Sequence, residues 1–305
     1  MTYFYLLIGL IVLVIGGDFL VKSAVSITNK LNVSPLLIGV TVVSFGTSFP
    51  ELLVSLQAAI DGNSGIAIGN VIGSNIANIG LVLGVTAVIS PMLIKGKSYL
   101  SSWLFMLLSA LLFIWFSIDL VISLLEGLSL VFLLIVFILF SIRFNKTEVE
   151  AIESDTISSS FPLIVLYFIL GSAGLYFGSE LLVENAVIIA KEWGVSELVI
   201  GVTIIALGTS LPELVTSCLA AVKGHNNISI GNLIGSNIFN VFAVIGITSS
   251  CRSINVDESV LYFDFPVMLG ITLFLGCILF VSKINRLTGF ALLLAYFTYI
   301  LVSIV

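Results

Sequence analysis

Two glutamates, Glu51 and Glu213, close near-identical runs: G-V-T-V-V-S-F-G-T-S-F-P-E at 39–51 and G-V-T-I-I-A-L-G-T-S-L-P-E at 201–213. Thr47 and Ser48 precede the first, Thr209 and Ser210 the second, and all four carry hydroxyl oxygens. A second shared stretch, G-N-V-I-G-S-N-I-A-N at 69–78 and G-N-L-I-G-S-N-I-F-N at 231–240, adds Ser74, Asn78, Ser236 and Asn240. From 51 to 213 and from 78 to 240 the displacement is the same 162 residues. Every donor in this set is hard oxygen, with no imidazole and no thiolate. Such a shell suits Ca²⁺, Na⁺ or Mg²⁺ and disfavours Zn²⁺ or Cu⁺.

The same runs carry the means of positioning those oxygens. Pro50 lacks an N–H and clashes with the carbonyl four residues earlier, that of Gly46; Pro212 stands in the same relation to Gly208. Breaking a helix there frees carbonyls around Ser44–Gly46 and Ala206–Gly208. Inside a membrane such carbonyls must be satisfied, and at a protein-lined cavity a cation can do so. Plainer roles compete. Gly69–Gly73 and Gly231–Gly235 are G-x-x-x-G spacings that let helices approach closely without any ligand. A lone buried glutamate can be a structural hydrogen-bonder, but two at equivalent repeat positions, each beside its own helix break, favour one site assembled from two halves.

Composition supplies the membrane. Of 305 residues, 59% are apolar and 9% charged, against about 25% charged in a soluble domain. The net charge of −6 offers no basic face for nucleic acid. Spans long enough to cross hydrocarbon fall at 3–28, 35–60, 66–90, 99–117, 120–142, 161–190, 197–221, 228–250, 260–282 and 286–304. The expected fold is an all-α polytopic membrane protein with ten transmembrane helices. Its two inverted five-helix repeats, 1–142 and 161–305, are joined by a polar cytoplasmic linker at 143–160, and the helices are broken at the central site. The N-terminus lacks a basic region, so a cleaved signal peptide is not expected. Cys218, Cys251 and Cys277 have no metal-ligand spacing and read as packing residues. Asp18, Glu180 and Glu184 read as interfacial or cavity-rim groups, and His225, in the loop K-G-H-N-N, as solvated.

Lys and Arg set the orientation. With the N-terminus outside, Lys30, Lys95, Lys97, Arg143, Lys146, Lys223, Lys283 and Arg286 are cytoplasmic; only Lys191 and Arg252 lie outside, and Lys22 stays within the first span. Five spans per half then send the second half through the membrane in the opposite sense. Both termini fall outside the cytoplasm, and Glu51 and Glu213 meet near the midplane. An integral, multi-pass protein of the cell (inner) membrane is expected.

The paired G-T-S-F-P-E-L (46–52) and G-T-S-L-P-E-L (208–214), with G-S-N-I-x-N at 73–78 and 235–240, resemble the α-repeats of the cation/Ca²⁺ exchanger superfamily, especially its prokaryotic Na⁺/Ca²⁺ exchangers. The resemblance spans the whole chain. It implies a secondary active antiporter, not an enzyme, that exchanges Na⁺ for Ca²⁺ by alternating access without a cofactor. By the same resemblance Glu51 and Glu213 bridge Ca²⁺, aided by the carbonyls of Thr47 and Thr209. The hydroxyls of Ser48, Ser210, Ser74 and Ser236 and the carbonyls of Ser44 and Ala206 serve flanking Na⁺ sites, and Asn78 and Asn240 face the middle. The first and sixth spans would slide against the other eight. One departure stands out: several relatives carry Asp where this chain has Asn240. The centre therefore holds at most two negative charges, and a third Na⁺ would make transport electrogenic. A H⁺/Ca²⁺ antiporter of the same superfamily is the alternative, and a passive cation channel a more distant one. The inorganic cations and the lipid bilayer are the partners the sequence implies.

Overall fold

The structure, a computed structural model, describes residues 1–94, 96–144, 160–195, 206–280 and 283–304. The linker core at 145–159, with Lys146, and Lys95 and the start of the seventh span at 196–205 lie outside the described residues. Among the described residues nine helices are long and apolar enough to cross a membrane, and Leu211–Val222 is a tenth, shorter apolar helix. We number them α1 (Thr2–Leu31), α2 (Pro35–Ile60), α3 (Ser64–Ile89), α4 (Gly96–Phe116), α5 (Leu124–Phe144), α6 (Phe161–Glu192), α7 (Ala206–Gly208 and Leu211–Val222), α8 (Asn226–Cys251), α9 (Glu258–Leu279) and α10 (Arg286–Ile304).

Local chemistry explains the turns. Asn32 ends α1 in the left-handed conformation (φ 52°), and Ser34 then caps α2, its Oγ accepting from Leu37 N at 3.2 Å, with Pro35 in the first helical turn. Gly194 takes the same left-handed role after α6 (φ 76°). Gly62 and Gly224, 162 residues apart, turn α2 into α3 and α7 into α8 at φ 88° and 83°. Their positive φ strains any residue with a Cβ.

Contacts between the halves exchange under the same displacement. Strand β1 (Met92–Leu93) pairs antiparallel with β4 (Lys283–Ile284), and β2 (Val121–Ile122) with β3 (Ile254–Asn255). Met92 lies opposite Ile284, and Ile254 opposite Ile122, which is the first pair carried forward and back by 162. Gly84 meets Gly289 where α3 touches α10, and Gly246 approaches the first turns of α5 around Gly127 in the equivalent place. Along the α1–α6 seam Gly9 faces Gly178 while Gly16 faces Gly171, so the two backbones touch where a side chain would intrude. β1 and β4 gather the chain around Lys283 and Arg286 at one end of the bundle; β2 and β3 gather Arg252 at the other.

The helices carrying the G-S-N-I-x-N runs form the centre. Within their most apolar stretches 94% of α8 and 78% of α3 is buried, against 17% of α10. Ile68, Ile72, Ile76, Leu83, Ile234, Ile238 and Phe242 make the core with Phe113, Phe137 and Phe265 from the outer helices. The outer faces expose Phe4, Leu7, Trp115, Phe132, Ile169 and Leu294, a surface suited to lipid rather than water.

Asp18 pairs with Lys22 (2.8 Å) one turn along α1 and with Lys223 (2.6 Å) at the end of α7. One polar residue differs from expectation. His225 is buried rather than solvated, because Gly224 folds the chain back and His225 N donates to Ala220 O at 2.8 Å.

Candidate cation site between the two repeats

The two Pro-containing helices are irregular in different ways. Helix α2 remains helical through Pro50; its irregularity is a π-helical turn at Gly39–Val43, ahead of the motif, which Ser44 Oγ closes by donating to Gly39 O at 2.8 Å. Helix α7 is interrupted at Thr209–Ser210, just before Pro212, and restarts at Leu211 with Glu213 in its first turn. The expected break is therefore present in the second copy, while α2 stays helical through Pro50; the equivalent of its π turn, 201–205, lies outside the described residues. Further π turns follow the G-S-N-I-x-N runs symmetrically, at Asn78–Leu83 and Asn240–Ile245. Such turns are rare and concentrate at functional sites.

At the centre the side chains meet. Glu51 and Glu213 are fully buried, and each lies within reach of the other's charge. Ser48 Oγ donates to Glu213 Oε1 at 3.3 Å, and the Thr47 and Ser236 hydroxyls also surround that carboxyl. Thr47 Oγ1 donates to Asn232 Oδ1 (3.1 Å) and shares a contact with Ser236 Oγ (3.2 Å). Ser44 Oγ donates to the Asn232 carbonyl at 3.0 Å, and Ser74 Oγ meets Thr209 Oγ1 at 3.4 Å. Asn78 Nδ2 donates to Asn237 Oδ1 and Asn240 Nδ2 to Asn75 Oδ1, each at 3.1 Å. These contacts bring Ser44, Thr47, Ser48, Glu213 and Ser236 together, join Ser74 to Thr209, and tie Asn78 and Asn240 across the α3–α8 seam. Ala206 opens the described part of α7, and its side chain lies outside the described residues.

The oxygens left over give the site its chemistry. Among the described residues, Glu51 Oε1 and Oε2, Glu213 Oε2, Asn78 Oδ1, Asn240 Oδ1 and Ser210 Oγ are all buried without a hydrogen-bond partner. An orphaned buried acceptor costs roughly 1–3 kcal/mol, and more when charged. Carried by the two carboxylates and by the helices packed with them, these acceptors fit a desolvated cation.

Three pairs were missed by reading the motifs only for ligands. Asn70 Nδ2 donates to Ser55 Oγ (2.9 Å) and to the Glu51 carbonyl (3.2 Å); Asn232 Nδ2 donates to Ser217 Oγ at 3.0 Å. Asn75 and Asn237 form the third pair. The signal was present: Ser55/Ser217, Asn70/Asn232 and Asn75/Asn237 are identical polar residues at the 162-residue displacement.

Burial is unequal across the pseudo-symmetry. Ile66 is 56% exposed while its equivalent, Ile228, is fully buried, and the same contrast holds for Gly69 against Gly231. Gly231 and Gly235 press against Leu36, Gly39 and Val40; the equivalents of those three, Leu198, Gly201 and Val202, lie outside the described residues. In α8 the G-x-x-x-G spacing is thus a packing device.

Comparison with known proteins agrees. The family described as "Sodium/calcium exchanger protein" matches residues 1–143 and 163–305. The sodium/calcium exchanger MaX1 of Methanosarcina acetivorans is 36% identical, over 99% of this chain and 98% of that protein. The inner membrane protein YrbG of Escherichia coli is 33% identical over 88% of this chain and 85% of its own length. A solved structure of the sodium-calcium exchanger NCX_Mj, from crystals soaked with Na⁺ and Ca²⁺, superposes with a TM-score of 0.83 at 34% identity, covering 98% of this chain and 97% of that one. The chain is a member of the sodium/calcium exchanger family, integral membrane transporters of cations rather than enzymes.

Proposed function

We propose that the chain exchanges Na⁺ for Ca²⁺ by alternating access, with Glu51 and Glu213 as the carboxylates that bind Ca²⁺. The observation that carries this reading is the set of orphaned buried oxygens around the two glutamates. Thr47 and Thr209 carbonyls complete the Ca²⁺ shell. The Ser48, Ser210, Ser74 and Ser236 hydroxyls, with the Ser44 and Ala206 carbonyls, hold Na⁺ on either side, and Asn78 and Asn240 face the centre. The test is direct: purified protein in Na⁺-loaded liposomes, diluted into Na⁺-free buffer, takes up ⁴⁵Ca²⁺. Uptake driven instead by a pH gradient identifies proton coupling. Uptake that persists with no counter-ion on the far side identifies a channel.

The orientation places both termini outside the cytoplasm and the 143–160 linker inside, in the cell membrane. Two inverted repeats, 1–142 and 161–305, follow from five spans in each half. With Cys218, Cys251 and Cys277 replaced by serine, a Asp155→Cys variant should react with a membrane-impermeant thiol reagent only from the cytoplasmic face. Labelling from outside intact cells overturns both the topology and the inversion.

In that orientation the accessible N-terminal half of α3 opens to the exterior, and the tightly packed N-terminal half of α8 seals the cytoplasmic side. Alternating access then exchanges the two environments as α1 and α6 slide. Gly235→Ala places a Cβ 2.6 Å from Val40 Cα and O, an overpacking worth ~1–3 kcal/mol against the outward-open state. By the same exchange of environments, Gly73→Ala would instead penalise the opposite state. External labelling of Ile66→Cys should fall in Gly235→Ala and hold or rise in Gly73→Ala. A shift of both in the same direction rules out the exchange of environments.

A further inference from the structure

Both G-S-N-I-x-N runs contain an asparagine three residues before the one that faces the site, and these pairs interlock across the halves. Asn75 and Asn237 are buried. Asn75 Oδ1 accepts from Asn240 Nδ2, and Asn237 Oδ1 accepts from Asn78 Nδ2, both at 3.1 Å. Their own amide nitrogens are used on the far side. Asn75 Nδ2 donates to Met268 Sδ at 3.8 Å, and Asn237 Nδ2 donates to Met106 Sδ at 3.6 Å and to the Asn75 carbonyl at 3.4 Å. Met106 and Met268 are themselves 162 residues apart, on α4 and α9. The whole relay, sulfur to outer amide to inner amide, is therefore built twice.

The relay has a direction. A thioether accepts a hydrogen bond and cannot donate one. The methionine sulfur therefore draws the NH₂ of Asn75 or Asn237 towards itself and turns the carbonyl oxygen the other way. That oxygen takes the NH₂ of Asn240 or Asn78, which leaves the inner Oδ1 as the only atom pointing away from the relay. Those two oxygens, Asn78 Oδ1 and Asn240 Oδ1, are among the buried acceptors that have no partner among the described residues. A carboxylate at either position presents oxygen whichever way it turns. A carboxamide presents oxygen in one rotamer and an N–H donor, repulsive to a cation, in the flipped one.

We infer that Asn75 and Asn237 are positioning residues, which, with Met268 and Met106 behind them, hold Asn240 and Asn78 with oxygen towards the cations. The inference rests on the reading that Asn78 and Asn240 face the transported ions. It accounts for how this chain keeps an all-oxygen centre with asparagine in both middle positions.

The test separates orientation from packing. In proteoliposomes, Asn75→Leu should raise the KM for Ca²⁺ about tenfold, the equivalent of one lost hydrogen bond of roughly 1.4 kcal/mol, with kcat little changed. Equilibrium ⁴⁵Ca²⁺ binding to the purified protein should weaken in parallel. In an Asn240→Asp background, where both oxygens accept, adding Asn75→Leu should leave KM where Asn240→Asp alone puts it; a packing defect would instead add. Met268→Leu, close in volume, should raise KM in the same direction by a smaller factor, and it decides the matter if Asn75→Leu does not fold. An unchanged KM in the variant that folds, or a penalty undiminished by Asn240→Asp, overturns the inference. Asn240→Leu keeps the two levels apart. If it leaves KM unchanged, the reading of Asn240 as a site residue falls. If it raises KM while Asn75→Leu does not, only the positioning role falls.

Discussion

Glu51→Gln and Glu213→Gln should each reduce Na⁺-driven Ca²⁺ uptake to the background of empty liposomes while the protein stays folded. Glutamine keeps the size and one oxygen of the side chain, but removes half the charge of the centre and places an NH₂ where a cation binds. Leaving a buried ion without one of its charged partners costs on the order of 2–5 kcal/mol, a loss of about 30-fold at the least. The folded protein should survive because little structural bonding is lost. Both Glu51 oxygens lack a partner, and Glu213 gives up one 3.3 Å contact from Ser48 through a single oxygen. Removing a buried charge also lifts a cost that the apolar surroundings impose, so thermal stability in detergent without Ca²⁺ should hold or rise. Size-exclusion profiles and ⁴⁵Ca²⁺ uptake measured on the same preparation decide it. A monodisperse Glu213→Gln protein with full exchange would sink the assignment of the carboxylates.

The spans and the centre were legible because membranes restrict the options. Backbone polar groups inside hydrocarbon must be satisfied within the helix, so apolar length predicts helices, and polar residues that recur at a fixed displacement predict a shared site. Glu51, Thr47, Ser48, Asn78 and their equivalents come together for that reason. Less legible was the form of the irregularity. Pro50 and Pro212 carry the same local signal, yet α2 stays helical through Pro50 while α7 is interrupted before Pro212. Local sequence is nearly equal in the two copies, so the difference lies in packing. Val40 and Ser44 of α2 are clamped against Gly235 and Asn232 of α8, while Val202, the equivalent of Val40, lies outside the described residues. Two local signals this alike cannot announce which copy breaks. The ion pair of Asp18 with Lys223 escaped notice for a related reason: its partners lie 205 residues apart, and the pairing does not recur, since the equivalents of Asp18, Lys22 and Lys223 are Glu180, Glu184 and Asp61.

Exchange should also be electrogenic, with more than two Na⁺ moved for each Ca²⁺. Glu51 and Glu213, both ionised, balance one Ca²⁺ or two Na⁺. With asparagine at both 78 and 240 the centre supplies no third negative charge, so a third Na⁺ must be held by neutral oxygen alone. Those oxygens are present: Asn78 Oδ1, Asn240 Oδ1 and Ser210 Oγ are buried and orphaned, and the Ser74–Thr209 contact, at 3.4 Å, is loose enough to be exchanged for an ion. The Na⁺-loaded centre then carries one net positive charge more than the Ca²⁺-loaded one. Moving one elementary charge through 100 mV is worth about 2.3 kcal/mol, which shifts the attainable Ca²⁺ gradient roughly fifty-fold. Potentials set with K⁺ and valinomycin across Na⁺-loaded liposomes provide the measurement. Inside-positive potentials favour Na⁺ exit and should raise the Ca²⁺ accumulated at equilibrium; inside-negative potentials should lower it. A Ca²⁺ gradient that does not move with potential means a ratio of two Na⁺ to one Ca²⁺, in which the two glutamates set the charge of the centre and the neutral oxygens hold no additional ion.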